Sequence, residues 1–280
     1  MTTAHHPQSA AHRSPATGHR PPPTVYRRLR AAWRLASLVT VLGWAAVLFL
    51  FTAGPWSGFR RRSRWLHRTS RMVLRALSVR FVVEGQPRPG TGVVASNHVS
   101  YLDIPVLAAT TPQVFLAKSE VRDWPVVGWF ARVAGTQFID RKRRGDVARQ
   151  NADFVHIVEH DAVLTLFLEG TSTDGSTVRP FRSSLLEPVV EHNWPVTPAA
   201  IHYTCTGGDV AHDVCWWGEM GFFEHLFRLV QVDTITAHLR FGHAVASAQE
   251  RKSLAAHLHG EVSTLKTRSE GAVVLDSPLA

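Results

Sequence analysis

The sequence predicts an α/β fold, a mostly parallel sheet covered by helices, behind an N-terminal pair of membrane-associating helices. Three observations carry this. Beyond residue 80, short β-rich runs alternate with helical ones, the order of a sheet whose strands are joined by crossover helices. Several strand runs are apolar throughout, as strands covered on both faces are. Residues 1–80 hold fourteen Arg and no Lys, Asp or Glu, so this stretch carries +14 and the other 200 residues carry −5 of the total +9. With 280 residues, 45% of them hydrophobic, the chain can bury one domain of ordinary size with attachments, or two small ones. Wholesale disorder and fibrous repeats are excluded, and the acidic balance beyond residue 80 argues against a uniformly basic nucleic-acid-binding domain. Cys205 and Cys215 are too few for a disulfide framework, and no segment reads as a cleaved secretory signal, so a reducing compartment is expected.

Taken in order, residues 1–24 are His, Pro, Ser and Ala with almost no large apolar side chain, and predict a disordered tail. Leu35 to Phe59 is a run of 25 residues without charge, bounded by Arg34 and Arg60. As a helix it matches a hydrocarbon core of about 30 Å. Trp65–Val79 then sets Trp65, Leu66, Met72, Val73, Leu77 and Val79 against Arg64, Arg68, Arg71 and Arg75, the composition of a helix lying in an anionic interface. Arginines flank both ends of the apolar run, so the positive-inside rule sets no orientation; a spanning helix and an interfacial hairpin both satisfy the pattern. Strands are predicted at Val79–Val83, Gly92–Ser96, Gln113–Ala117, Gln137–Asp140, Val163–Leu168, Val196–His202 and Ala237–Phe241. Helices are predicted at Tyr101–Ala109, Trp124–Val133, Gly145–His160, Gly221–Val230 and Ala246–Thr267. The expected units are a tail at 1–24, membrane-associating helices at 25–78, an α/β domain at 79–267 and a flexible tail at 268–280.

Two loops that follow predicted strands hold the chemistry. Asn97-His98-Val99-Ser100-Tyr101-Leu102-Asp103 lies where Gly92–Ser96 empties into a helix, and strand C-termini are where α/β sheets bind ligands. On one continuous helix His98 and Asp103 would stand about 140° apart. With Ser100 as N-cap the helix starts between them, His98 stays in the loop, and the Asp103 carboxylate turns back toward the imidazole. A carboxylate on one ring nitrogen fixes the tautomer and frees the other nitrogen to take a proton from a hydroxyl. The bland alternative is a capping box beside a loop histidine, and about 0.6 chance occurrences of His-x4-Asp are expected in this composition. In a second copy, His156–Asp161, the histidine lies inside the predicted helix Gly145–His160, away from any strand C-terminus. The other loop, Glu169-Gly170-Thr171-Ser172-Thr173-Asp174-Gly175, follows Val163–Leu168, and its glycines permit close backbone approach to a ligand.

The Asn97–Asp103 stretch resembles the His-x4-Asp motif of the glycerolipid acyltransferases. Gly135-Thr136-Gln137-Phe138-Ile139-Asp140-Arg141 is similar to the second block of that family, Phe167-Leu168-Glu169-Gly170-Thr171 to its Phe-Pro-Glu-Gly-Thr block, and Val196-Thr197-Pro198-Ala199 to its fourth. Lys118-Ser119-Glu120 followed by Pro125 and Gly128 fits as well, and order and spacing agree across residues 80–203. The resemblance implies an acyltransferase domain at 79–267 that moves a fatty acyl chain from acyl-carrier protein or coenzyme A to the free hydroxyl of a lysolipid, most simply 1-acylglycerol 3-phosphate. It implies His98 as base, Asp103 as its orienting carboxylate, Arg141 with Lys118 on the acceptor phosphate, and Glu169, Gly170 and Thr171 lining the acceptor site. No cofactor, metal or nucleic acid is implied. The partners are the lysolipid, an anionic bilayer surface and the thioester donor, which puts the catalytic domain on the cytoplasmic side of the cell membrane. Two positions depart from the pattern. Leu168 replaces the usual proline, and Ser172 stands where phosphatidic-acid-forming members usually carry an arginine. With Pro180-Phe181-Arg182-Ser183-Ser184-Leu185 and Trp216-Trp217-Gly218-Glu219-Met220 downstream, the stretch is more similar to the branch that includes lyso-ornithine lipid acyltransferases.

Three other readings compete. His156-Ile157-Val158-Glu159-His160 matches a His-x-x-Glu-His zinc pattern, against the plainer reading of a solvated helix end. His202, Cys205, His212 and Cys215 have the spacing of a zinc clip, against buried thiols and a strand histidine. The +14 segment alone would serve a non-enzymatic membrane or nucleic-acid tether, which leaves both strand-end loops unexplained.

Overall fold

The computed structural model describes residues 25–52, 54, 57–86, 92–124, 126–139, 153–159, 162–247 and 250–268. The tail expected at 1–24 and all but Arg268 of the tail expected at 268–280 lie outside them, as do Asp140, Arg141, most of the helix expected at Gly145–His160, and Asp161. Among the described residues two helices come first, α1 (Val25–Thr52) and α2 (Phe59–Ala76), followed by β1 (Val79–Glu84), β2 (Gly92–Ser96), α3 (Asp103–Thr110) and β3 (Gln113–Lys118). A 3-10 turn (Ser119–Asp123) leads to α4 (Val127–Val133) and β4 (Gln137–Ile139). Then come α5 (153–159), β5 (Val163–Phe167), α6 (Glu187–Glu191), β6 (Val196–Thr206), α7 (Phe222–Leu229), β7 (Thr234–Phe241) and α8 (Arg251–Thr267).

The seven strands form one sheet in the order β1-β7-β6-β2-β5-β3-β4. Every neighbouring pair is parallel except β6–β7, so β1 and β7 run against the other five. Strand residues alternate between two cores, as the period of two requires. On one face Val94, Phe115, Phe167, Ile201, Tyr203 and Leu239 meet Leu74 and Leu77 at the end of α2, with α3 and α7. On the other, Val93, Ala95, Val114, Leu164 and Leu166 meet α5, α6 and α8 through Phe154, Ile157, Val189, Leu254 and Leu258. β2 and β5 are buried along their whole length, which is why their sequences read as unbroken apolar runs.

Element limits differ from expectation for physical reasons. α1 starts ten residues before the uncharged run because its arginines dock on the protein. Arg34, 2% exposed, donates to the carbonyls of Val230 (3.1 Å), Val232 (2.6 Å) and Asp233 (3.1 Å). One and two turns earlier, Arg30 and Arg27 pair with the Asp233 carboxylate. Near its other end, Ala45 and Phe49 pack on Trp65 of α2 and Ala134, and the Trp65 indole donates to the Ala45 carbonyl at 2.9 Å. α1 passes the length and apolarity test for a membrane span, with 11% of its most apolar stretch buried. β6 runs four residues past its expected end because β7 pairs with it out to Thr206↔Thr234. α8 begins at Arg251, five residues late, because Val245 instead exchanges two backbone hydrogen bonds with Val196.

Candidate active site

Where β2 ends, a side chain continues the sheet in place of the backbone. The buried Asn97 amide donates to Ile201 O (2.9 Å) and accepts from Ile201 N (2.8 Å), so it makes the contacts to β6 that the next strand residue would make. The main chain is thereby free to leave the sheet and carry His98 outward. The His98 backbone is held on both sides: its N–H donates to Glu169 Oε1 (2.7 Å) and its carbonyl accepts from Thr173 N (3.0 Å). Its ring stacks on Phe167 at 4.1 Å and 18°.

His98 Nδ1 lies 2.7 Å from Asp103 Oδ2. The same oxygen accepts from the backbone N–H of Val99 (2.7 Å) and Ser100 (3.0 Å), while Oδ1 accepts from the Tyr203 hydroxyl (2.8 Å). Leu102 takes the N-cap place of α3, and the Ser100 hydroxyl donates away to Val214 O at 2.7 Å. The capping reading and the orienting reading therefore describe one carboxylate performing both tasks. Asp103 is fully buried, and the His98 side chain is 20% exposed. With Nδ1–H pointed into a carboxylate, the unprotonated nitrogen is Nε2, and among the described residues it has no hydrogen-bond partner. Burial pushes the Tyr203 phenol well above its ordinary range, and the Asp103 charge adds to this. Burial likewise lifts the Cys215 thiol to about 12, so it stays protonated.

The other expected site residues that lie among the described ones fall along the same edge. Extending the strand registers, Ser96, Phe167, Ala117 and Phe138 form one row across β2, β5, β3 and β4, so the four parallel strands end level. His98 follows the first and Glu169 the second. Lys118 ends the third, exposed and two strand spacings, about 10 Å, from β2. Arg141 follows the fourth, outside the described residues. Glu169 is 3% exposed, and its second oxygen accepts from Arg179 N at 2.8 Å, so both carboxylate oxygens are spent on backbone N–H groups. Burial raises its pKa, against those two hydrogen bonds. Gly170 turns the chain at φ +74°, and Thr171 and Ser172 are half-buried in the loop that follows.

Asn97, Tyr203 and Thr173 were not expected as site residues. Tyr203 lay one position beyond the predicted end of its strand, although the apolar alternation of Ala199, Ile201 and Tyr203 continues through it. Tyr101, Trp124 and Trp216, from three loops, and Phe222, the first residue of α7, form an aromatic lip with ring centroids 5.1 to 6.3 Å apart. Tyr101 hydroxyl donates to His225 Nδ1 (3.0 Å), and His225 Nε2 donates to Cys215 O (2.9 Å), tying the lip to α7.

The zinc-clip pattern does not converge. His202 and Cys205 are three apart on a strand, so they point to opposite faces; His202 stacks on His238 and His212 bonds Asp209. Among the described residues no group of three His, Cys, Asp or Glu side chains is placed to hold a metal. His156 packs its ring against Phe59, and His160 lies outside the described residues.

The acyltransferase family model matches residues 79–202, from β1 into β6. The lyso-ornithine lipid O-acyltransferase of Brucella abortus is 33% identical over 233 residues, 78% of this chain and 85% of that protein. The 1-acyl-sn-glycerol-3-phosphate acyltransferase of Neisseria meningitidis is 33% identical over 193 residues, 68% of this chain and 74% of that one. A crystal structure of the 1-acyl-sn-glycerophosphate acyltransferase from Thermotoga maritima aligns with TM-score 0.60 over 88% of this chain and 98% of that chain at 19% identity, a likeness of fold. The matched relatives, the mixed sheet and the glycerolipid motifs along its edge agree: the chain belongs to the acyltransferase family.

Proposed function

We propose that this enzyme acylates the free hydroxyl of a lysolipid, with His98 as general base and Asp103 as the carboxylate that orients it. The observation that carries this is the fully buried Asp103 at 2.7 Å from Nδ1, with Nε2 left without a partner among the described residues. His98 Nε2 takes the proton of the acceptor hydroxyl as its oxygen attacks the thioester carbonyl. The tetrahedral intermediate collapses, the carbon–sulfur bond breaks, and the imidazolium returns the proton to the departing thiolate. No covalent acyl-enzyme is invoked: the Cys215 thiol is buried and held protonated, and the Ser100 hydroxyl is committed to Val214 O. The donor is an acyl-carrier-protein or coenzyme A thioester, and no cofactor takes part.

For the acceptor, Ser172 favours lyso-ornithine lipid. A serine there supplies no cation for a phosphomonoester, and the likeness to the Brucella abortus protein points the same way. 1-Acylglycerol 3-phosphate, the acceptor named for the Neisseria meningitidis relative, would rely on Lys118 at the end of β3 and on Arg141. Glu169 acts on the acceptor only through the His98 backbone it holds, with Gly170 and Thr171 closer to solvent.

The enzyme works at a membrane surface, on the side where its thioester donors are. α1 touches the domain near both ends, so it lies along the protein with its other face outward: Tyr26, Leu29, Trp33, Val39, Trp44 and Leu50 are all more than half exposed. A helix so fixed reads as half-embedded, not as a perpendicular span. The test is a detergent-solubilised assay offering both thioesters to lysophosphatidic acid and lyso-ornithine lipid, with His98→Ala as control. Acylation of lyso-ornithine lipid that disappears in His98→Ala is expected. Activity confined to lysophosphatidic acid would overturn the acceptor, and turnover unaffected by the substitution would overturn the base.

A further inference from the structure

Asp103 sits in a site without solvent, and an ionised carboxylate there needs donors on both oxygens. Oδ2 is served by three N–H groups of its own loop: His98 Nδ1, Val99 N and Ser100 N. Oδ1 has one donor among the described residues, the Tyr203 hydroxyl at 2.8 Å, which arrives from β6, a hundred residues away in sequence. Tyr203 is 5% exposed and shares a sheet face with Ile201 and Leu239, so its ring is packed and its hydroxyl aimed.

We infer that Tyr203 is a positioning residue for the base: its hydroxyl keeps Asp103 ionised and turned so that Oδ2 meets His98 Nδ1. This rests on the His98–Asp103 reading above. With neutral imidazole the pair carries −1, and with imidazolium it carries zero; a donor on Oδ1 stabilises the −1 state more. Tyr203 therefore favours the state in which Nε2 is free to act as base over the state that carries the proton. The other titratable groups facing the pair are Glu169, Tyr101 and Cys215, with Lys266 of α8 behind Glu169 and Cys215.

The test measures kcat and kcat/KM against pH for the full chain in detergent. Tyr203→Phe is expected to lower kcat about tenfold, to leave the acceptor KM within about twofold, and to move the acid limb up by about one pH unit. 3-Fluorotyrosine at position 203, a stronger donor, moves that limb the other way, and it decides the matter if Tyr203→Phe does not fold. Leu239→Ala, in the same core, lowers Tm and leaves the limb in place. An acid limb unmoved by either change at position 203, or moved as far by Leu239→Ala, overturns the role of Tyr203. Inactive His98→Ala beside silent Tyr203→Phe removes Tyr203 alone. Active His98→Ala removes the base reading and Tyr203 with it.

Discussion

The Asp103 carboxylate accepts four hydrogen bonds at once, and its charge is what an amide cannot copy. Asp103→Asn keeps the volume but no longer supports an imidazolium, and kcat is expected to fall about 10³-fold in the lysolipid assay. Glu169 makes a different prediction. Glu169→Gln faces one of its two backbone donors with an NH₂ group, and is expected to cost about 1–3 kcal/mol at neutral pH, read from thermal melts. Because burial raises the Glu169 pKa, the native state binds a proton that the unfolded chain has released at pH just above 4.5. This residue's contribution to stability therefore falls as pH rises through that window, and Glu169→Gln removes that slope from denaturation curves taken between pH 4 and 7. Local rules made the His98–Asp103 approach readable, since five residues and a helix start bring the pair together. Neither the donor to the other oxygen of Asp103 nor the partner of the amide that releases β2 could be read that way, because Tyr203 and Ile201 lie about a hundred residues further on and only the folded sheet sets them beside the loop.

Among the elements, the strands were legible wherever both faces are buried, and their limits were not legible where a partner decides them. The polar end of β6 is a strand because β7 lies beside it, and Thr206 and Thr234 bond across the pair at 2.7 Å. The start of α1 is set by Asp233, which the hydropathy of α1 cannot report. That joint is testable. Arg34→Ala leaves the carbonyls of Val230, Val232 and Asp233 without this donor and is expected to cost about 3 kcal/mol. Gly207, at φ +70°, has room for no side chain: a Cβ there would stand 1.9 Å from Asp233 Oδ2. Gly207→Ala strains the same joint from the other side, so the double variant should lose less Tm than the two single losses combined.

At the scale of the molecule, the exposed guanidiniums of α2 and the outward apolar face of α1 act together as a surface-binding device. Replacing Arg61, Arg64 and Arg68 by Gln is expected to weaken partition onto anionic vesicles about 100-fold at low salt, at about 1 kcal/mol per charge, and to leave neutral vesicles unaffected. Cosedimentation at rising ionic strength checks this, with the difference fading as salt is added. The lone antiparallel junction, β6 against β7, has a consequence for how such a device works. β7 starts, and α1 docks through Asp233, beside the end of β6 at Thr206, seven residues past Ala199, where β2 ends. The reversal therefore acts as a spacer: it holds the start of α1 at the tip of the β6–β7 pair, on the side toward which β2 delivers His98 and seven strand residues beyond the row that His98 leaves.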